Sequence, residues 1–360
     1  MTRPFTHLHL HSEYSLLDGG NRLDRLCERV AELGMDSVAV TDHGNLHAGV
    51  IFYETARRHG LKPILGCEAY VAPGDRTDRT YTGVADGGHH LVLLAENLTG
   101  WNNLMRLGSE AYLSGFYFKP RMDRAILEES GSGLIAINGH LGSEIAHHLQ
   151  KYEEALRGSG GDAGQHWADA NDVCAWHEKV FADEGTGPRF YIELQNHVPE
   201  QNAINPHLIR LARERGLPLV CDNDSHFLRA EDHDAHDTLV CISTGKVKSD
   251  PTRMKYTPEL YVKSPDQMWA MFDRDAFNRV EHEGPGGAVV FEGAGRESLE
   301  NTAAIAERCN VELPIGANHA PVVIVKGPFK KRDQKRLPKH DDDRFGGDLS
   351  AWYQAFCGEF

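Results

Sequence analysis

A chain of 360 residues with 53 acidic and 38 basic side chains, formal charge −15, is badly equipped to hold a nucleic-acid backbone by itself, since that relies on Lys and Arg; acidic side chains suit divalent cations instead. Seven scattered cysteines with no CxxC pair exclude a disulfide framework and fit a reducing cytoplasm. No basic segment followed by an apolar core opens the chain, and no run approaches the roughly 20 apolar residues that span a bilayer, so neither a signal peptide nor a membrane partner is expected.

The length allows one large or two ordinary domains. FTHLHLH reads as a strand, and alternation places His7, His9 and His11 on one face. Unpaired polar groups are not buried at that density, so something must use their nitrogens. NRLDRLCERVAELG reads as a helix closed by Gly34, DSVAVTDH as a strand, and HAGVIFYETARRHG as a helix closed by Gly60. KPILGCEAYVA is a strand followed by a polar loop, GDRTDRTYTGVADGG. HHLVLLAEN is a strand, and TGWNNLMRLGSEAYL a helix that Thr99 could cap. SGLIAINGH, RFYIELQN and LPLVCDNDSHF bring the strands to seven, most of them separated by helical segments. Repeated βα units imply a parallel sheet, and this count favours a closed α/β barrel with its chemistry at the C-terminal strand ends.

The texture changes near residue 230. DAHDTLVCIST reads as a helix, ELYVK as a short extended piece leading to another helix, 281–295 as a Gly-rich inserted loop or hairpin, and ESLENTAAIAERC as a helix. The expected division is a metal-binding barrel over 1–230, a helical extension over 231–325, and a polar linker with the start of a further domain over 326–360. The basic cluster Lys326, Lys330, Lys331, Arg332, Lys335 and Arg336 is expected to be a solvated linker.

Polar residues gather at the strand ends. The first strand ends with His9, His11 and, across a short turn, Asp18; the second ends in Asp42-His43, Glu68 follows the third, His90 opens the fourth, His140 closes the fifth, and Asp224 and His226 close the seventh. Imidazole and carboxylate suit Zn²⁺, Mn²⁺ or Fe²⁺. Nine such groups exceed the needs of one ion, which suggests two or three metals sharing carboxylates. Clustered ions of this kind serve phosphoester hydrolysis, with a bridging hydroxide as nucleophile. No Ser-His-Asp or Cys-His arrangement competes, and there is no GxxxxGK[ST] phosphate loop.

HLHSEYSLLDG, TDHGN, GCEAY, HLVLLAEN, GFYFKPRMD, FYIELQNH, NDSHF and the run from HDTLVCISTGK through YVKSPDQMW to LENTAAIAERC resemble, in order, the N-terminal region of bacterial DNA polymerase III alpha subunits. Their first domain is a PHP (polymerase and histidinol phosphatase) domain, and the resemblance covers residues 5 to about 315. It implies a distorted seven-stranded (β/α)7 barrel followed by a smaller, mostly helical region. It also implies a trinuclear site: His9, His11, Glu68 and Asp224 on one metal and carrying the catalysis, Asp18, His43 and His226 on the second, His90 and His140 on the third, with Glu68 bridging. Many alpha subunits have a cysteine where this chain has His140, an acceptable exchange of ligand. Some relatives have lost these residues altogether.

The activity implied is a 3′–5′ proofreading exonuclease acting on a DNA primer 3′ end. The partners implied are the rest of the alpha subunit and replisome subunits such as a sliding clamp or a proofreading subunit. The polymerase aspartates of the family lie beyond this segment, and relatives continue past CGEF, so a fragment or truncated product unable to extend a primer is expected. Two other readings stand beside it: a metal-stabilised scaffold that docks the palm or a proofreading subunit, and a free-standing PHP phosphoesterase. His7 is expected to be a hydrogen-bonded core histidine, His89 structural, and Asp42 an orienting or capping group. Ser12 and Glu13 contact substrate or shape the turn, and Cys67 and Cys221 pack. His47, His147, His148, His233 and His236 are expected at the surface.

Overall fold

Strands buried on both faces organise this chain, as expected where helices cover a sheet whose inner side is also packed. The computed structural model describes residues 3–80, 83–84, 87–284 and 287–316. The elements in order are α1 (Leu23–Glu32), β1 (Ser37–Val40), α2 (Gly49–Arg58), β2 (Lys62–Val71), β3 (His89–Ala95), α3 (Leu98–Leu113), β4 (Phe116–Tyr117), β5 (Lys119–Met122), α4 (Arg124–Ser130), β6 (Leu134–Asn138), α5 (Glu144–Leu156), α6 (Ala163–Val180), β7 (Phe190–Leu194), α7 (Pro199–Arg215) and β8 (Leu219–Cys221). After them come α8 (His233–Thr244), α9 (Pro265–Phe272), α10 (Asp275–Asn278), the β9–β10 hairpin (Arg279–Gly284 and Gly287–Glu292) and α11 (Ala294–Arg308). Residues up to Leu313 form one compact unit. The stretch expected as a linker from 326, with its basic cluster, lies outside the described residues.

The curled α/β sheet runs β1–β2–β3–β6–β7–β8, with the β4–β5 hairpin added beside the far end of β2. Segment 5–11 lies between its two edges. The amides of Ala39 and Thr41 donate to the carbonyls of His7 and Leu10 on one side, and His11 and Ser225 pair on the other. The seven segments expected from the sequence therefore ring the site. Segment 5–11, expected as a strand, does not make a regular ladder. The amides of Leu8 and His9 both donate to Asp222 Oδ2 (2.5 and 3.0 Å), and that of Leu10 donates to Thr41 Oγ1 (3.0 Å). Side chains thus take the place of neighbouring carbonyls.

The sheet is not uniformly parallel, which corrects the βα reading. β3 is antiparallel to both β2 and β6, while β1–β2, β6–β7 and β7–β8 are parallel. Among the described residues no α-helix stands between β2 and β3, and a parallel pairing needs a crossover of roughly a dozen residues or more, usually helical. The reversal matters for the site, because it brings His90, at the start of β3, to the end where the other strands finish. The Thr99 cap is also corrected: Asn97, with extended backbone, caps α3 by accepting from the Gly100 amide at 3.1 Å, and Thr99 lies inside the first turn.

Inside the ring, Leu8, Ala39, Ile64, Val92, Leu94, Ile135, Ile137, Tyr191 and Val220 form an apolar plug, extended by Ile305 and Ala306 of α11 and by Cys309 just after it. α11 is held at the end away from the site: Lys62 Nζ, at the start of β2, donates to the Ala306 and Glu307 carbonyls, and Arg308 pairs with Glu96 just past β3 (3.0 Å). A second, larger apolar layer lies between the sheet and its helices. The dry floor leaves the polar residues one place to converge, at the opposite end. Among the described residues no helix is long and apolar enough to cross a membrane.

Candidate metal centre

Glu68 sits at the middle of that end, almost wholly buried. Five imidazoles surround its carboxylate. Oε1 lies 2.9 Å from His90 Nδ1, 3.0 Å from His140 Nε2 and 3.3 Å from His9 Nε2; Oε2 lies 2.7 Å from His43 Nδ1 and 3.2 Å from His11 Nε2. Asp224 Oδ1 adds contacts to His11 Nε2 (3.1 Å) and His9 Nε2 (3.4 Å). Asp18 Oδ2 lies 2.9 Å from His43 Nε2 and 3.6 Å from His226 Nε2. The nine residues singled out from the strand ends are thus brought into a single cluster. Asp224 holds its place with a left-handed backbone (φ 48°), a strained conformation of the kind that collects at functional sites.

The far sides of the rings are tied down. His9 Nδ1 and His140 Nδ1 lie 3.0 and 3.2 Å from the two oxygens of Glu193. A carboxylate there can only accept, so both rings donate from Nδ1 and turn Nε2 inward. His11 Nδ1 lies 3.0 Å from Ser15 Oγ, whose own proton goes to Asp42 (2.8 Å), and His226 Nδ1 donates to the Asp224 carbonyl (2.8 Å). In all four rings the inward Nε2 is buried and has no hydrogen bond of proper geometry, although carboxylates surround it. Imidazoles that ligate a metal carry this signature: one nitrogen donating to a fixed acceptor, the other presented as a lone pair. The donor set, rich in imidazole with shared carboxylates, suits Zn²⁺, Mn²⁺ or Fe²⁺. Side chains of His9, His11 and Asp224, of His43, Glu68 and His90, of His11, His43 and His226, and of His9, His140 and Glu193 can each gather ligand atoms within 4.8 Å of one another.

Without a cation, the buried acids hold protons on the rings instead, so a metal would take the place of those protons. Burial opposes charge on His9, but Asp224, Glu193 and Glu68 hold its pKa well above the usual range. Against the same burial, Glu68 and Asp18 hold His43 up to about 10, and Glu193 and Glu68 hold His140 up to about 9. Burial likewise opposes ionisation of the acids, yet the surrounding imidazoles keep Glu68, Asp18 and Asp224 well below the carboxylate range and Glu193 at about 2.

Glu193 is the residue that the sequence reading missed. It was in view, in RFYIELQN, as an acid in the middle of a strand that is otherwise apolar, and that placement was the available signal. Asp42 accepts from the Ser12 amide, the Ser12 hydroxyl and the Ser15 hydroxyl, so it braces the turn that steadies His11. His7 turns away from the centre, bonded to the Lys263 carbonyl (3.0 Å) and beside Asp222. His89 is buried, packs against His147, and burial pushes its pKa down to about 3. His236, expected at the surface, is buried and bonds the Asp18 carbonyl at 2.7 Å; the ring steadies the Asp18 turn. Cys67 and Cys221 are buried and free.

A chain folded this way, with imidazoles and carboxylates at one end of a distorted barrel, has the architecture of a PHP domain. It belongs to that family: the PHP domain model matches residues 7–197. Within the family, its sequence matches DNA polymerase III alpha subunits. It is 38% identical over 337 residues to that of Campylobacter jejuni, covering 93% of this chain and 26% of the relative. It is 42% identical over 317 residues to that of Thermus aquaticus, covering 87% and 23%. The subunit of Deinococcus radiodurans is 38% identical over 323 residues, covering 87% and 22%. The chain therefore spans about a quarter of the length of these relatives, the part that carries their PHP region, as the resemblance implied. Among solved structures it aligns with a two-domain protein from Bacteroides vulgatus described as containing a predicted PHP-like metal-dependent phosphoesterase (TM-score 0.37, 14% identity, 69% of this chain and 59% of the other). It also aligns with an amidohydrolase from Chromobacterium violaceum (TM-score 0.35, 15% identity, 61% and 87%).

Proposed function

We propose that this chain is a metal-dependent phosphodiesterase module of a replicative polymerase alpha subunit, removing nucleotides from a DNA primer 3′ end as a 3′–5′ proofreading exonuclease. The observation that carries the proposal is the set of four buried imidazoles, His9, His11, His140 and His226, each donating outward from Nδ1 and presenting an unbonded Nε2 to carboxylates. His9, His11, Glu68 and Asp224 would hold one divalent ion, Asp18, His43 and His226 a second, and His90 and His140 a third, with Glu68 shared. When bound, such ions lower the pKa of a coordinated water and neutralise charge on the phosphoryl oxygens. The chain's own part is to fix the ligands. Glu193 holds two rings in the ligating tautomer, the Asp42–Ser15 pair holds a third, and the apolar plug beneath keeps bulk water from the floor of the site. The polymerase site belongs to the remainder of the alpha subunit, the first partner; a sliding clamp or proofreading subunit would be further partners.

The test is release of nucleotides from a 3′-mismatched primer by the purified chain with Mn²⁺ or Zn²⁺, with metal content measured in the same preparation and His11→Ala as control. Metal-dependent release that the control lacks is the expected result. Bound metal with no release would overturn the exonuclease reading and leave the centre a structural role.

Two further results are expected. Glu193→Gln loosens His9 and His140 without removing a ring, so metal affinity falls roughly 10- to 100-fold, read by competition with a chelator; unchanged affinity would deny Glu193 its positioning role. Metal loading also releases protons. With folded pKa values of about 10 for His43 and about 9 for His140, both rings are protonated at pH 7 in the metal-free protein, and a cation must displace those protons. Their contribution to metal-free stability is full below the unfolded value of roughly 6.5 and is lost as pH rises through 9 to 10, so metal affinity rises over that same interval. Calorimetry in buffers of different ionisation heat should find net proton release; none would contradict the assignment of these rings.

A further inference from the structure

Away from this centre, α5 and α6 pack side by side and bring His148 of α5 against His166 and Asp169 of α6. One ligand atom from each residue can be chosen so that all three lie within 4.8 Å of one another. His166 Nε2 lies 3.0 Å from the Gly160 carbonyl, which can only accept; the proton is therefore on Nε2, and Nδ1 carries a lone pair. That Nδ1 is shielded from solvent and has no hydrogen-bond partner. His148 Nδ1 is likewise shielded and unbonded, 3.7 Å from Asp169 Oδ2, while the other Asp169 oxygen accepts from Gln165 Nε2 at 2.8 Å. Burial lowers the pKa of His148, which keeps the ring neutral near pH 7. The His166 lone pair, a second imidazole whose shielded Nδ1 is unbonded and a carboxylate oriented by Gln165 make up a zinc-class donor set.

We propose that His148, His166 and Asp169 form a second divalent-metal site, separate from the Glu68 centre, which clamps α5 to α6. Its cation is of the borderline class that imidazole selects, such as Zn²⁺ or Co²⁺, rather than Mg²⁺ or Ca²⁺. Ligand bonds of about 2.0 to 2.1 Å require the three atoms to close by roughly an ångström, within the reach of surface rotamers. Three protein ligands leave a fourth position to water.

The full chain, stripped with chelator and titrated with Zn²⁺ against a chromophoric competitor, tests the site. His166→Ala and the isosteric Asp169→Asn should each bind one equivalent fewer than the unaltered chain, or bind that equivalent at least about tenfold more weakly. Phosphodiester hydrolysis and far-UV circular dichroism should be unchanged, which separates this site from the Glu68 centre. Loss of one equivalent in both variants, with the fold retained, would establish the clamp. Unaltered stoichiometry and affinity in Asp169→Asn, the variant that perturbs folding least, would overturn it.

Discussion

Glu68→Gln should empty the metal centre and lower hydrolysis by at least about a hundredfold. The change keeps the shape of the side chain and removes one charge, so the dry floor beneath is undisturbed. What disappears is the anion that five imidazoles share, with contacts from 2.7 to 3.3 Å. An amide cannot bridge cations as a carboxylate does, and its NH₂ would point a donor at rings that in the ligating form present lone pairs. Disturbing only the support of a metal ligand costs 10- to 100-fold, and a shared ligand stands above that range. Metal content per chain and the hydrolysis rate check the result together. A variant that retains its metal and its rate would remove Glu68 from the centre of this account.

Asp222→Ala should lower stability by about 3 to 5 kcal/mol with the side chains of the Glu68 cluster unaltered. Its buried carboxylate accepts the amides of Leu8 (2.5 Å) and His9 (3.0 Å) through one oxygen and that of Asn223 (2.8 Å) through the other, and lies 3.4 Å from His7. Segment 5–11 joins β1 to the strand beyond β8, so these bonds help to close the ring. Removing the acceptor leaves buried donors without partners, about 1 to 3 kcal/mol for each unsatisfied group, and breaks a charge-assisted cluster. Urea denaturation in chelator, where metal binding does not add to stability, reads the loss directly. The thermal midpoint should fall by roughly 10 °C. Asp222→Asn, which keeps one acceptor, should be milder. A loss below about 1 kcal/mol in Asp222→Ala would mean that the ring closes by other contacts.

Most of the site was legible because it combines two signals, short apolar runs and His, Asp or Glu where several of them stop. His140 after LIAIN and the Asp224–His226 pair after LPLVC are of this kind. Glu68, expected after its strand, lies inside β2 instead. The direction of β3 was not legible from its own residues. HHLVLLA reads equally well in a parallel or an antiparallel pairing; the distinguishing signal is that the described residues between β2 and β3 hold no α-helix. Glu193 was obscured for a different reason. It stands inside β7, not after it, and its partners His9 and His140 are 184 and 53 residues away in sequence. Local pattern shows that a buried acid needs a partner; it does not show which one. Segment 5–11 misleads in the opposite sense, since its apolar alternation is that of a strand while Asp222 and Thr41 take the amides a ladder would use.

Anomalous diffraction from crystals of the metal-loaded chain, recorded on both sides of the Mn and Zn absorption edges, tests the central claim most directly. The account predicts element-specific peaks among His9, His11, Asp18, His43, Glu68, His90, His140, Asp224 and His226, with the Glu68 carboxylate touching more than one. Imidazole–carboxylate hydrogen bonds at those positions, with no anomalous peak in a chain that hydrolyses DNA, would contradict it.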